Sequence, residues 1–162
     1  MEQNNEFISN EDIIYFNLQV IDKKNKFIKD YPETLSFSYF VKDTLPHPAT
    51  FIKKELFESV GLYDENLKIV SDWKWFIKAV CNYNVSYKKM DAILSTFYLD
   101  GISADPKSRN LIVTERQSVL NSEYAAYNQD IDDVVKYRSI ISGLRRSRTI
   151  KLLIKLGFLN KF

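Results

Sequence analysis

Six residues of this chain have the types and settings from which chemistry is built: Asp72, His47, Trp75, and Asp100, Gly101 and Ser103 of one loop. Asp72 follows Ser71 at the head of an apolar periodic segment, which puts a carboxylate in the first turn of a helix, beside the positive end of its dipole. A carboxylate so held can take a proton from a hydroxyl, general-base help typically worth ~10²–10⁴ in rate. An acid at that position also simply stabilises a helix start, and the residues alone leave both readings open. His47 stands between Pro46 and Pro48, which disfavour helix at Leu45 and His47. It reads either as a positioned hydrogen-bond donor or as an ordinary surface histidine. Trp75 falls off the apolar stripe of its helix, so its ring either stacks on a sugar or lipid or packs under the Asp100 loop. In Asp100-Gly101-Ile102-Ser103 the glycine allows backbone conformations that other residues resist, and the preceding strand delivers the loop to one edge of the sheet. Asp64 and Glu65 are paired acids in a turn, where local hydrogen bonding favours them, and a structural role is expected.

The elements that must position these residues are legible in outline. Asp12 to Asp22 reads as a strand whose alternation breaks at Phe16 to Leu18, and Phe27 to Asp30 pairs back on it after the polar turn Lys23 to Lys26. Thr34 can cap a short helix with Leu35, Tyr39 and Phe40 at helical spacing, ending before Pro46. Ala49 to Lys53 reads as a short buried strand, and Lys54 to Val60 as a helix closed by Gly61. The clearest helix has Ser71 as its expected N-cap and Ile69, Trp73, Phe76, Ile77 and Val80 on one apolar face. Cys81 lies in it as a small apolar residue. Val85 to Lys89 and Ala92 to Leu99 read as strands with a bend at Met90-Asp91. Helices come next over Leu111 to Tyr127, Ile131 to Ser142, and from Ser147.

Three polar clusters stand in order on this apolar frame: Leu45-Pro46-His47-Pro48-Ala49-Thr50-Phe51, then Gly61-Leu62-Tyr63-Asp64-Glu65 leading into Ser71-Asp72-Trp73, then Asp100-Gly101-Ile102-Ser103. This order resembles the acceptor-side half of bacterial family 2 glycosyltransferases, inverting enzymes of the GT-A fold, over roughly residues 11 to 105. The resemblance implies an α/β fold, a partial GT-A-like mixed sheet flanked by helices with a C-terminal helical tail. It implies transfer of a sugar from a nucleotide diphosphate sugar to a glycan or lipid-linked acceptor. Asp72 would be the base, and His47, Asp100, Gly101 and Ser103 would lie at the acceptor cleft; Trp75 joins them as an acceptor-binding candidate on its off-stripe position alone. The family's nucleotide-binding half ends in an Asp-x-Asp type motif that holds a divalent metal, Mn²⁺ or Mg²⁺. Residues 1 to 10 cannot supply it, since one strand-helix-strand unit takes about 30 residues. Activity is therefore expected only with a donor-binding half. The alternative is a non-catalytic interaction module that associates with a partner or a membrane surface.

Composition narrows the remaining classes. A chain of 162 residues with 45% hydrophobic and 27% charged residues can bury a core of ordinary domain size. Gly61, Gly101, Gly143 and Gly157 lie too far apart for a glycine-rich phosphate cradle. One Cys and one His exclude an internal disulfide and the usual zinc ligand sets. No apolar run fits a signal peptide or a membrane span, so a cytoplasmic location is expected, at the inner face of the membrane where the tail engages it. Charge is unevenly spread: residues 134 to 162 carry eight basic groups and no acid, while residues 1 to 133 are net −6. The expected organisation is a frayed stretch at 1–10, the acceptor-side portion at 11–108, a helical extension at 109–143 and a basic amphipathic tail at 144–162. In the tail Arg145, Arg146, Arg148, Lys151 and Lys155 oppose Ile150, Leu153 and Ile154, a pattern suited to anionic membranes. Docking on the chain's own acidic body is the competing reading, and the acidic remainder speaks against nucleic acid.

Overall fold

The computed structural model describes residues 10–22, 25–99 and 106–160. These form two compact units, Met1–Val119 and Leu120–Phe162. The first is a mixed α/β unit whose elements are β1 (Ile13–Asp22), β2 (Asn25–Lys29), α1 (Phe37–Lys42), β3 (Thr50–Ile52), α2 (Leu56–Ser59), α3 (Ser71–Cys81), β4 (Tyr87–Tyr98) and the greater part of α4 (Arg109–Glu123). The second holds the end of α4, then α5 (Ala125–Arg146) and α6 (Arg148–Lys155). The unit boundary thus falls inside α4. Among the described residues no helix is long and apolar enough to cross a membrane.

β1 is the centre of a four-stranded sheet. β2 pairs antiparallel with its second half, β3 antiparallel with its first three residues, and β4 runs parallel along its whole length. The broken alternation of β1 has its cause in that last pairing. The register with β4 shifts between Phe16 and Asn17 and again between Asn17 and Leu18, so successive side chains no longer alternate faces and both Tyr15 and Phe16 are buried. The bend expected at Met90-Asp91 is this irregularity, carried within one continuous strand. β3 is shorter and more exposed than expected: Ala49 belongs to the 3₁₀ turn His47–Ala49, and Phe51 is exposed. The cap of α1 is Ser36, whose Oγ accepts from the Tyr39 N–H at 3.2 Å, and not Thr34.

The core gathers Ile13, Tyr15, Phe16, Phe40, Trp73, Phe76 and Ile77 around α3, each contributing about 1.5–3 kcal/mol on burial. Of the expected stripe, Trp73, Phe76, Ile77 and Val80 are buried in α3 while Ile69 precedes the helix half-buried, and Trp75 and Ala79 are buried as well. Trp75, expected off the stripe, is 2% exposed. Its ring lies 5.0 Å from that of Phe57, and its Nε1 donates to the Gly61 carbonyl at 2.7 Å. The short α2 and the turn after it cover the face of α3 that periodicity assigns to solvent. Gly61 closes α2 with φ +97°, a conformation that favours glycine. Cys81 ends α3 exposed and is not a core residue.

Candidate functional site

Asp72 stands in the first turn of α3, as its setting predicts, but the segment leading to it is held by residues that local sequence does not mark. Ser71 is not an N-cap; its Oγ donates to the Asp64 carbonyl at 2.8 Å. The N–H groups ahead of the helix go to a carboxylate from α4. Glu115, 8% exposed, accepts from Lys68 at 2.8 Å, from Ile69 at 3.1 Å and from Val70 at 3.2 Å. Asp64 adds a second clamp, with Oδ1 accepting from the Asn66 backbone and side chain and Oδ2 paired to Lys74 at 2.8 Å. The Lys74 bond comes first among the causes that hold the Asp64 carboxyl down at about 2. Its expected structural role is what the geometry gives it.

Asp72 is half-buried, and its Oδ1 accepts from the following N–H, that of Trp73, at 2.7 Å. Its other oxygen has no hydrogen-bond partner among the described residues. Asp72 borders a cavity of ≈ 370 Å³. The apolar wall comes from the sheet and α3, with Leu18, Val20, Phe27, Trp73, Phe97 and Leu99; Ile112 of α4 completes it. Polar groups enter from Lys29, Thr44, His47, Asp72 and Arg116. Lys29 is paired to Asp43 at 2.7 Å.

Arg116 is the residue of this site that sequence reading misses. Its guanidinium carbon lies 5.0 Å from the centroid of the Trp73 ring, a cation–π arrangement on the residue next to Asp72. Its Nε is buried with no hydrogen-bond partner, as is Thr44 Oγ1 on the same cavity. Burial works against the Arg116 charge, and the carboxylates of Asp43 and Asp72 support it. No short-range signal marks Glu115 or Arg116: in sequence they are two charges on a helix, and the Glu115 partner Lys68 is 47 positions away.

His47 is exposed at the mouth of the same cavity, in the 3₁₀ turn that its flanking prolines permit. Its Nε2 shares a hydrogen bond with the Tyr63 hydroxyl at 3.0 Å. Burial raises the Tyr63 phenol, with the Asp72 charge adding to the effect. Asp72 and His47 are therefore brought to one cavity, whereas Trp75 is packed beneath Phe57 and Tyr63 and is not among the cavity's lining residues. Its buried ring has no free face for a ligand. Asp100, Gly101 and Ser103 lie outside the described residues. Among the described residues no three His, Cys, Asp or Glu side chains gather as a candidate cation site.

Comparison with known proteins finds no family model, no curated protein and no solved structure that matches this chain.

Proposed function

We propose that this chain is the acceptor-binding and catalytic-base portion of an inverting glycosyltransferase of the family 2, GT-A type, moving a sugar from a nucleotide diphosphate sugar to a glycan or lipid-linked acceptor. The observation that carries the reading is a carboxylate, Asp72, fixed at a helix start on a largely apolar cavity it shares with His47 and Arg116. An acceptor hydroxyl gives its proton to Asp72 as the hydroxyl oxygen bonds to the anomeric carbon. The bond from that carbon to the nucleotide diphosphate breaks on the opposite face, and the diphosphate leaves with the electron pair. Arg116 and Thr44 bring unused donors to the cavity, and His47 brings a ring nitrogen to its mouth, groups that can orient acceptor oxygens. The apolar wall suits a sugar face or a lipid segment.

The test uses the chain supplied with a donor-binding half. Asp72→Asn keeps the side chain's size and removes the proton acceptor, so turnover falls by ~10²–10⁴ while donor affinity is little changed. Donor affinity falling as far as turnover would make Asp72 a binding residue. Unchanged turnover would leave it a helix-start acid.

One observation favours the second reading, an interaction module. β4 pairs with no strand other than β1 among the described residues, and its outer stretch carries exposed Ile93, Leu94 and Tyr98. An open edge of this composition recruits another strand. Chain association lost in an Ile93→Lys, Leu94→Lys variant, with no transfer activity in the completed enzyme, would decide for it.

A further inference from the structure

The apolar residues left bare on α6 are not those that its sequence pattern sets against the basic row. Ile150, Leu153 and Ile154 are half-buried, whereas Leu152 is 54% exposed and Leu156 58%. At 3.6 residues per turn Leu152 and Leu156 sit one above the other, alongside the row Arg148, Lys151 and Lys155. Ser147 breaks the backbone between α5 and α6, with φ −59° and ψ 128°, so the two helices are separate rods. The far end of α6 is closed by Gly157 at φ +79°. The Phe158 N–H bonds to the Leu153 carbonyl at 2.9 Å and the Gly157 N–H to the Ile154 carbonyl at 3.1 Å. That double closure fixes Phe158 immediately beyond the helix, where it is 74% exposed.

We infer that α6 with Phe158 is a docking face for an anionic bilayer surface, reached independently of the glycosyltransferase reading. Leu152, Leu156 and Phe158 enter the boundary between headgroups and acyl chains, while Arg148, Lys151 and Lys155 extend their stems sideways and leave their charges among lipid phosphates. Charge complementarity selects this occupant. From residue 134 onward the chain has eight basic groups and no acid, and an anionic leaflet adds attraction for each group near its surface. A neutral apolar partner would not use the basic row, and a nucleic acid would not use the exposed leucines and phenylalanine.

The full chain should co-sediment with phosphatidylcholine vesicles containing phosphatidylglycerol, at least tenfold more strongly than with pure phosphatidylcholine, and less as salt rises. Arg148→Gln, Lys151→Gln, Lys155→Gln together should weaken partitioning by on the order of a hundredfold, about fivefold for each group. Leu152→Ser, Leu156→Ser, Phe158→Ser should abolish it with the charge intact. Circular dichroism of both variants should match the parent, since every substituted side chain is exposed. As a reporter that leaves the basic row untouched, Leu156→Trp should shift its emission to the blue on the anionic vesicles alone. Equal binding to neutral vesicles, undiminished binding by either variant, or tighter binding to duplex DNA or RNA than to the vesicles at the same salt would overturn the inference.

Discussion

Glu115 does for the segment before α3 what an N-cap residue does for one donor, but three times over and from another helix. Its carboxylate receives three consecutive backbone N–H groups, and at 8% exposure water cannot replace it readily. Glu115→Ala leaves those donors without their acceptor, a loss on the order of 2–4 kcal/mol in urea unfolding. Because only Ser71 separates this segment from Asp72, on the function proposed above the same substitution, assayed with a donor-binding half supplied, should lower turnover by more than the unfolded fraction explains. Arg116 beside it is equally silent in the sequence. A charged pair on a helix reads as solvated surface until the fold brings α4 over the start of α3.

The α3 helix and its approach are joined by a second fastening, in which Asp64 of the preceding turn reaches Lys74 in the helix. The Asp64 carboxyl, held at about 2 against an ordinary 3.8, stays charged in the folded protein where the unfolded chain takes up a proton. Its contribution to stability is therefore complete above the unfolded value and is lost as pH falls from about 4 through about 2. Titration of the Asp64 carboxyl by NMR should give a midpoint near 2, and Lys74→Met, which removes the largest cause, should move it up toward 3.8. A midpoint unmoved by the substitution would assign the shift to the Asn66 bonds. The periodicity of α3 identifies the helix and four of its buried positions, Trp73, Phe76, Ile77 and Val80, but not Trp75. A single stripe is legible from spacing, whereas burial of a further face depends on where α2 and the Gly61 turn pack.

Across the chain as a whole charge is divided: the cavity lies in a mildly acidic portion, and the basic stretch from residue 134 onward includes α6. The chain's glycines are too scattered to cradle phosphates, and among the described residues no three His, Cys, Asp or Glu side chains form a group that could hold a metal ion. Calorimetry of the chain alone with nucleotide sugars and Mn²⁺ should accordingly show weak binding or none, and saturable micromolar binding would overturn that expectation. The sequence by itself determined the helix of Asp72, the hairpin of β1 and β2, and the basic amphipathic end, because each depends on neighbours within a few positions. Only the tertiary structure decided that Glu115 holds the approach to α3, that Arg116 and Thr44 share the cavity of Asp72, that Trp75 is core, and that Leu152 and Leu156 rather than Ile150 and Leu153 stand bare. Those outcomes rest on contacts between distant segments, where burial is fixed by what packs above a side chain and not by the spacing of apolar residues along the chain.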